Sequence, residues 1–366
     1  MQLFYGTCLL LLLVIVELII IRRCEKHVPW KEIVTNLNSG HIVLWIFRGL
    51  EVIVFTYFYR HFSLRLLDDL NYVLVLISAF IIWDFCFYWL HRIHHNFSFF
   101  WKVHQVHHQG EHFSLSLGVR NSWYSSLTSI PFFIPLAIIG FAPEIFVTVG
   151  AIHYFIQFYN HNRIVRNSGW LDYIFITPSH HRVHHGLDDI YINKNFGGTF
   201  VIWDKYFGTF QKELKQIPEL YGLNKYTFDE DIVKLNNAPF YVESAIYEGP
   251  DTVSKPKIHE AHIVILTFLL FLLLLVFIKN ESVWPFNQLF LLFSFVTGGT
   301  ILLGKINFAN LFWLIMNTMI SCILPFCLLI LFELNNPETI ILSAYIIYSV
   351  IINMIIFAKW ISQDLK

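Results

Sequence analysis

The chain has 366 residues, of which 56% are hydrophobic and 14% are charged, and its formal net charge is −1. Ordinary water-soluble domains are about a quarter charged and slightly under half apolar. The composition therefore excludes an ordinary soluble globule, a disordered chain and a disulfide-stapled secreted module. The near-neutral charge gives no electrostatic basis for nucleic-acid binding. We predict an all-α integral membrane protein, in which 18 histidines remain to be explained.

The first apolar segment, residues 3–21, contains Glu17 as its one charged residue and is followed by Arg22 and Arg23. A cleaved signal peptide would carry basic residues before its apolar run and small residues at the end. Neither feature is present, so we expect a helix that anchors the chain in the membrane.

Two further segments precede the histidines. Residues 42–59 contain Arg48 and Glu51, which lie three apart on one helical face and can pair inside a bundle. An interfacial amphipathic helix is the alternative for this segment. Residues 70–90 are long and apolar enough to cross the membrane, with a single buried acid, Asp84.

Residues 124–159 are apolar but interrupted by Pro131, Pro135 and Pro143. We expect two helices that form a hairpin, entering the membrane and returning to the same side. Residues 160–260 are polar and rich in loops. Four apolar runs without internal charges follow at 263–278, 283–303, 311–332 and 340–358.

These segments predict four regions in chain order. They are N-terminal membrane helices (1–69), a catalytic region (70–225), a polar linker (226–260) and C-terminal transmembrane helices (261–366).

Basic residues in short loops favour the cytoplasmic side of a membrane. With the N-terminus outside, residues 22–41, 91–122 and 160–260 lie inside and carry four, three and eleven Lys plus Arg. All histidine-rich stretches then lie on the cytoplasmic face. The membrane is expected to be the endoplasmic reticulum in a eukaryote or the inner membrane in a bacterium.

Three HxxHH motifs stand out: HRIHH at 91–95, HQVHH at 104–108 and HRVHH at 181–185. Positions i, i+3 and i+4 share one helical face, so each motif is expected to project three imidazoles towards one point. Three such motifs are not plausibly accidental. The other histidines are interpreted as ordinary core or surface residues: His27, His41, His61, His259, His262 and, although clustered, His94, His112, His153 and His180.

The motifs predict a metal site, because eight or more histidines converge and exceed the coordination shell of one metal. Two metals are the economical interpretation. No CxxC pair and no HExxH motif is present, and imidazole suits Zn, Cu, Fe and Ni alike. Beyond the metal centre we predict no catalytic residue. Acids near the motifs are candidates for orienting the rings, although each is also typical of a solvated surface acid: Asp84, Glu111, Asp172, Asp188 and Asp189.

The predicted metal centre lies next to membrane segments, since His91 follows directly on the span 70–90 and His161 follows the return of the hairpin. A metal at an apolar opening suits oxidation of an unactivated C–H bond in a lipid chain. A metal transporter or sensor is the alternative from another class. Transport requires polar ligands staggered across the bilayer, whereas these histidines gather at one face.

Four segments resemble the histidine boxes of the fatty acid hydroxylase superfamily, also called the sterol desaturase family. They are WDFCFYWLHRIHH at 83–95, WKVHQVHH at 101–108, FYNHNRI at 158–164 and TPSHHRVHHG at 177–186. The run NKNFGGTFVIWDKYFGTF at 193–210, followed by YGL at 221–223, is most similar to its alkylglycerol monooxygenase branch.

The resemblance implies an integral-membrane, non-haem di-iron oxygenase that uses O₂ and a lipid substrate. It implies hydroxylation of an ether-linked alkyl chain with tetrahydrobiopterin as reductant, which releases a fatty aldehyde and a glycerol derivative. A sterol, fatty acyl or carotenoid hydroxylase or desaturase with another electron donor, such as a redox protein, is the alternative. The metal ligands that match are His91, His95, His104, His107, His108, His161, His181, His184 and His185.

The sequence departs from this branch at two places. The branch usually has a glutamate directly after its second histidine, and here that position is Asn96. The polar segment between Tyr221 and Pro256 is also short. Neither departure affects the matched ligands.

Overall fold

The structure is a computed structural model that describes residues 2–25, 28–39, 41–223, 231–241, 260–305, 311–331 and 336–364. Over these residues the secondary structure is helical, and the one β-contact is an isolated bridge between Phe175 and Phe200. The predicted all-α class is therefore confirmed.

The helices are named α1 to α15 in chain order. Their bounds are α1 Gln2–Glu25, α2 Trp30–Ser39, α3 His41–Phe62, α4 Tyr72–Asn96, α5 Ser98–His108, α6 Ser125–Ile139, α7 Pro143–Asn160, α8 Pro178–His185, α9 Ile202–Tyr206, α10 Ile232–Tyr241, α11 Glu260–Asn280, α12 Phe286–Lys305, α13 Leu311–Thr318, α14 Leu324–Leu331 and α15 Asn336–Asp364. A π-helical turn, Met319–Ile323, joins α13 to α14.

The described residues fall into two compact units. The first lies within Met1–Ile42, Asp229–Ala238 and Ile246–Lys366, and the second within Val43–Phe228 and Pro239–Ala245. The first unit therefore combines helices from both ends of the chain. The division into four regions made from the sequence stays a prediction.

Five helices are long and apolar enough to cross a membrane, among the residues that the structure describes. They comprise Phe4–Glu25, Tyr72–Asn96, Ala261–Asn280, Phe286–Leu303 and Pro337–Ala358. The chain is accordingly a multi-pass membrane protein by the length and composition of its helices. The predicted segments 42–59 and 311–332 are largely helical but are not among these five.

In the first unit, α11 packs against α1, α2, α12 and α15. Its buried Leu270 lies in the same core as Phe295 and Tyr345, whose rings meet edge to face at 5.0 Å. This unit contains no part of the histidine motifs.

In the second unit, α4 packs against α5, α6 and α7. An aromatic core fills the space between α3, α4, α6 and α7: Trp83 stacks on Phe133 with ring centroids 4.1 Å apart, and Phe55 stacks on Phe146 at 4.0 Å. This packing fixes the histidine-bearing C-terminal end of α4 relative to α7.

The predicted helical hairpin is present as α6 and α7, but only one of its three prolines marks the break. α6 continues through Pro131 and Pro135 and ends at Gly140, which has a φ of +124°. A side chain at Gly140 would also approach the Arg65 backbone to 3.2 Å, so glycine is required there. Pro143 then starts α7 at the first helical position, where proline is favoured.

Arg48 and Glu51 pair inside the second unit, as the sequence predicts. The Arg48 guanidinium donates to Glu51 at 2.5 Å, and the other Glu51 oxygen accepts from the Ser129 hydroxyl at 2.6 Å. The Glu51 side chain is buried, so its two partners replace the water that it loses.

We predict that Glu51→Ala lowers the free energy of unfolding by about 1–3 kcal/mol, because it removes a buried acceptor from two donors. Glu51→Gln keeps an acceptor for Ser129 and should lose less. Thermal unfolding of the purified protein in detergent measures both variants. Unchanged stability of Glu51→Ala relative to the unmodified protein would contradict the prediction, and an equal loss in Glu51→Gln would show that the retained acceptor does not contribute.

Candidate metal centre

The predicted ligands come from four helix ends in the second unit. α4 carries His91 and His95 in its last turns, and α5 begins two residues after α4 ends. His161 caps the C-terminus of α7. α8 starts at Pro178, and its short length places His181, His184 and His185 together. Helix ends therefore bring the distant motifs to one place.

One group contains five histidines whose ligand nitrogens all lie within 4.8 Å of one another. Its members are His91, His95, His104, His108 and His184. Nε2 atoms meet at 3.0 Å between His91 and His104, at 3.2 Å between His104 and His108, and at 3.1 Å between His108 and His184. We call this group cluster A.

A second group, which we call cluster B, contains four buried histidines: His107, His161, His181 and His185. The His161 Nε2 lies 3.1 Å from that of His107, 3.2 Å from that of His185 and 3.0 Å from that of His181. The two clusters adjoin, because the rings of His108 and His185 stack with centroids 4.3 Å apart.

The sequence expectation that each HxxHH motif points its three rings at one place is wrong. His107 and His108 divide between the clusters, as do His184 and His185, and His94 joins neither. The side chains of consecutive helical residues point about 100° apart, so two adjacent histidines point towards two different sites. All nine matched histidines are nevertheless brought together.

Backbone carbonyls fix the tautomer of four rings. The Nδ1 atoms of His91, His107, His161 and His184 donate to the carbonyls of Phe196, Arg120, Gln157 and Lys194 at 2.8–2.9 Å. A carbonyl oxygen can only accept, so in the neutral ring Nδ1 carries the proton and Nε2 presents a lone pair. Each of these four Nε2 atoms points into a cluster.

The contact between His107 and His161 tests whether a metal fits. In both rings Nδ1 carries the proton, because it donates to a backbone carbonyl, yet the two Nε2 atoms lie 3.1 Å apart. Two lone pairs cannot hydrogen-bond to each other, and a cation between them removes their repulsion. Two nitrogens bound about 2.1 Å from one metal at a right angle are about 3 Å apart. The residues therefore fit a metal ion.

Burial prepares these side chains as neutral ligands. It lowers the pKa of His107 to about 4 and that of His184 to about 3. Burial also lowers the pKa of His104, His108 and His185 well below the usual histidine range. In cluster A, the buried Nε2 of His95 has no hydrogen-bond partner among the described residues, as expected of an atom reserved for a metal.

The expectation that acids orient the ligand rings is wrong for the four rings held by carbonyls. Asp84 instead accepts from the backbone N–H groups of Thr199 and Phe200, from the Trp203 indole and from His153 at 2.6–3.0 Å. It therefore holds residues 199–203 against α4.

The other acids named from the sequence also act away from the rings. Asp172 accepts from the Thr177 hydroxyl at the start of α8, and Asp188 accepts from the N–H of Ile190 in its own turn. Glu111 lies against Gly222, and Asp189 is exposed.

Sequence reasoning missed Asp204 and Arg120. The buried Asp204 carboxylate accepts from the N–H groups of Phe196 and Gly197 at 2.8 and 2.7 Å, which fixes the turn whose carbonyl orients His91. The Arg120 guanidinium donates to the Val106 carbonyl at 2.6 Å while its own carbonyl holds His107. The conspicuous run at 193–210 was the available signal for Asp204.

Several histidines have structural roles that explain why they lie outside the clusters. His94 uses both nitrogens, on the Leu90 carbonyl at 2.7 Å and the Thr128 hydroxyl at 2.9 Å. His153 bonds to Asp84, and His180 belongs to the capping box of α8. His112 joins neither cluster, His61 is exposed, and His262 bonds to Tyr348. His27, His259 and the His41 side chain lie outside the described residues.

We predict that His161→Ala reduces bound metal by about half, because it removes the nitrogen that meets all three other members of cluster B. His94→Ala is the matched control and should retain the metal. Metal content per chain, measured by mass spectrometry after purification, decides between them. Equal metal content in the two variants would contradict the assignment of cluster B.

We also predict that the free energy of unfolding falls as the pH decreases from about 6.5 to about 5. Unfolded histidines take up protons below about 6.5, whereas the folded His107 and His184 do so only near pH 4 and pH 3. Lower pH therefore favours the unfolded state. Unfolding temperatures at stepped pH measure this effect, and the exposed His61→Gln variant should keep the same profile. A flat profile would refute the prediction.

Comparison with known proteins agrees with this site. Residues 76–209, which include all nine histidines, match the family described as fatty acid hydroxylase. The chain is 31% identical to alkylglycerol monooxygenase of Danio rerio over 67% of this chain and 59% of that protein. It is 34% identical to alkylglycerol monooxygenase of Homo sapiens over 58% of this chain and 48% of that protein.

A bacterial relative also matches: the chain is 34% identical to ornithine lipid hydroxylase OlsE of Rhizobium tropici, over 37% of this chain and 41% of that protein. The chain thus spans about half the length of the curated relatives that it matches. No solved structure matches it. The resemblance predicted from the histidine motifs is confirmed, and residues 76–209 belong to the fatty acid hydroxylase family.

Proposed function

We propose that this protein is a membrane-bound di-iron monooxygenase that hydroxylates a lipid alkyl chain with O₂. The observation that carries the proposal is the pair of adjoining, buried clusters whose Nε2 lone pairs converge. Imidazole alone suits several metals, so the choice of iron rests on the family. Cluster A would hold one iron and cluster B the other, and together they would supply the activation of O₂.

The chain's own contribution is to hold these ligands in a dry, preset geometry. Four carbonyl bonds orient rings in both clusters before any metal binds. Burial keeps the rings neutral, so no proton must leave a ligand near pH 7. Exclusion of water also protects a reactive oxidant from side reactions. We propose no separate general acid or base.

The relatives named above oxidise lipids by their names, and we propose an ether-linked alkylglycerol as substrate. One oxygen atom of O₂ would enter the C–H bond beside the ether oxygen, and the other would leave as water. Two electrons and two protons would come from tetrahydrobiopterin. The resulting hemiacetal would break its C–O bond to give a fatty aldehyde and a glycerol derivative.

The membrane placement is part of the proposal. α4 is a candidate spanning helix, and its last turns carry His91 and His95. A lipid chain in the bilayer would therefore meet the clusters at the membrane edge. Arg22 and Arg23 at the end of the first helix favour the cytoplasmic face for the clusters. The membrane would be the endoplasmic reticulum or a bacterial inner membrane.

Asn96, which replaces the branch's usual glutamate, lies outside both clusters. Its side-chain amide donates to the Arg92 carbonyl on its own helix at 2.6 Å, and the residue is exposed. The replacement therefore leaves the ligand geometry untouched, which supports retention of the metal chemistry.

Two other functions remain as alternatives to the alkylglycerol reaction. A sterol, fatty acyl or carotenoid substrate, with a redox protein as electron donor, would use the same clusters. The bacterial relative's name, ornithine lipid hydroxylase, supports a wider range of lipid substrates. A metal transporter is disfavoured, because the nine histidines form one compact site and do not line a path across the bilayer.

We predict that the iron-loaded protein in nanodiscs consumes O₂ and forms a fatty aldehyde when given an alkylglycerol and tetrahydrobiopterin. His184→Ala should lower turnover by at least about a hundredfold, since it removes a ligand of cluster A. His94→Ala tests whether the loss is specific to ligands and should keep most of the activity.

The same assay with sterol, fatty acyl and carotenoid substrates separates the alternatives. Oxidation of one of these, with the alkylglycerol untouched, would replace the proposed substrate but keep the proposed chemistry. Iron-loaded protein that oxidises none of these lipids with either reductant would refute the proposed function.

A further inference from the structure

Two segments beside the metal centre present large apolar side chains that no part of their own unit covers. Residues 169–174 and the helix α9 carry exposed fractions of 68% at Trp170, 75% at Tyr173, 58% at Ile202 and 80% at Tyr206. Leu171 and Ile174 are also exposed. We call these six residues the exposed aromatic surface.

The two segments form one continuous surface. The N–H of Val201 donates to the Ile174 carbonyl at 3.0 Å, and the Lys205 ammonium donates to the Tyr173 carbonyl at 3.0 Å. The bridge between Phe175 and Phe200 joins them next to these contacts. These bonds hold the two segments side by side, so their exposed side chains lie on one surface.

This surface is fixed against the C-terminal half of α4, a candidate membrane-spanning helix. The Trp203 indole donates to Asp84 on α4 at 2.9 Å, and its ring meets Phe85 at 5.0 Å. The neighbouring Phe207 ring stacks on Tyr88 at 5.2 Å. These contacts lie 8–12 residues before the end of α4, which corresponds to about 12–18 Å along the helix.

The exposed face of α4 leads directly to this surface. Ile77, Ile81 and Phe85 follow one another at helical spacing and are exposed, as expected of side chains that face lipid. Phe85, the last of the three, contacts Trp203. The apolar stripe of the spanning helix therefore continues into α9 and residues 169–174.

The polar groups of these segments suit the boundary between lipid and water. Asp204 is fully buried, and Asp172 is bonded to Thr177. Lys205 is exposed, and its long side chain reaches back to Tyr173. Tryptophan and tyrosine side chains with an adjacent cation are typical of the headgroup region of a bilayer. An aqueous surface would not favour six exposed apolar side chains in two short segments.

We propose that the exposed aromatic surface is inserted into the bilayer beside α4, at the boundary between acyl chains and headgroups. The insertion would hold residues 169–174 and α9 at the membrane, and both of these segments adjoin residues that form or orient the clusters. Residues 169–174 lead into α8, which supplies three ligands, and α9 follows the turn whose Phe196 carbonyl orients His91. The partner is the lipid surface itself, and this goes beyond the proposed reaction.

Thiol labelling of the full chain in nanodiscs tests the insertion. In a Cys24→Ser background, Tyr173→Cys and Tyr206→Cys each place one thiol on the surface, with the exposed Cys24 removed. Asp189→Cys, which is exposed in a polar turn, is the water-facing control, and Ile77→Cys is the lipid-facing control. The reagent is a charged maleimide that does not enter lipid, and nanodiscs expose both membrane faces to it.

We expect Tyr173→Cys and Tyr206→Cys to react at least about tenfold more slowly than Asp189→Cys, close to the rate of Ile77→Cys, because lipid excludes the charged reagent. Rates equal to that of Asp189→Cys would overturn the proposal. The scaffold protein encircles only the rim of the disc, and discs that hold a single chain are selected by size, so a second copy or another protein partner cannot produce the expected result. Metal content of each variant checks that the clusters are intact, and no turnover is required, so the outcome is independent of the proposed reaction.

Discussion

The arrangement of the site depends on bonds between histidine Nδ1 atoms and backbone carbonyls. Each bond fixes one ring and forces its lone pair onto Nε2, and four such rings point inward. Converging lone pairs repel one another, so the fold holds an arrangement that only a cation makes favourable. A preset site of this kind selects ligand geometry without using charged ligands.

Buried carboxylates serve this arrangement indirectly. Asp84 and Asp204 each accept several hydrogen bonds from the segment 196–203, so their buried carboxylate oxygens are satisfied inside an apolar unit. The segment would otherwise expose unpaired backbone groups next to a spanning helix. Its Phe196 carbonyl is one of the four that orient rings. These two buried acids thus hold the backbone of the segment 196–203 in place, and the histidines provide the candidate metal ligands.

The membrane and the metal centre are linked through α4. This one continuous helix has an exposed apolar stripe on one face, buried aromatic side chains on the other, and histidines in its last turns. Because α4 is one rigid helix, the depth of its apolar stripe in the bilayer would fix the distance of cluster A from the membrane. In the proposed placement, a lipid chain beside that stripe would lie next to the clusters without leaving an apolar environment. This proximity makes lipid oxidation the function that the architecture supports best.

The sequence alone indicated the helical class, the family and the pairing of Arg48 with Glu51, because helical spacing and motif identity are local properties. It also singled out the nine histidines that the structure brings together. It did not determine that His107 and His108 serve different clusters, nor that Pro131 and Pro135 remain within α6. It also missed the carbonyls and Asp204. Those features depend on contacts between residues up to 105 positions apart, as for His91 and Phe196. The carbonyl partner of His161 is local, because Gln157 lies four residues earlier on α7. For the other three rings only tertiary packing decides which backbone oxygen lies beside which ring, since every residue carries the same carbonyl.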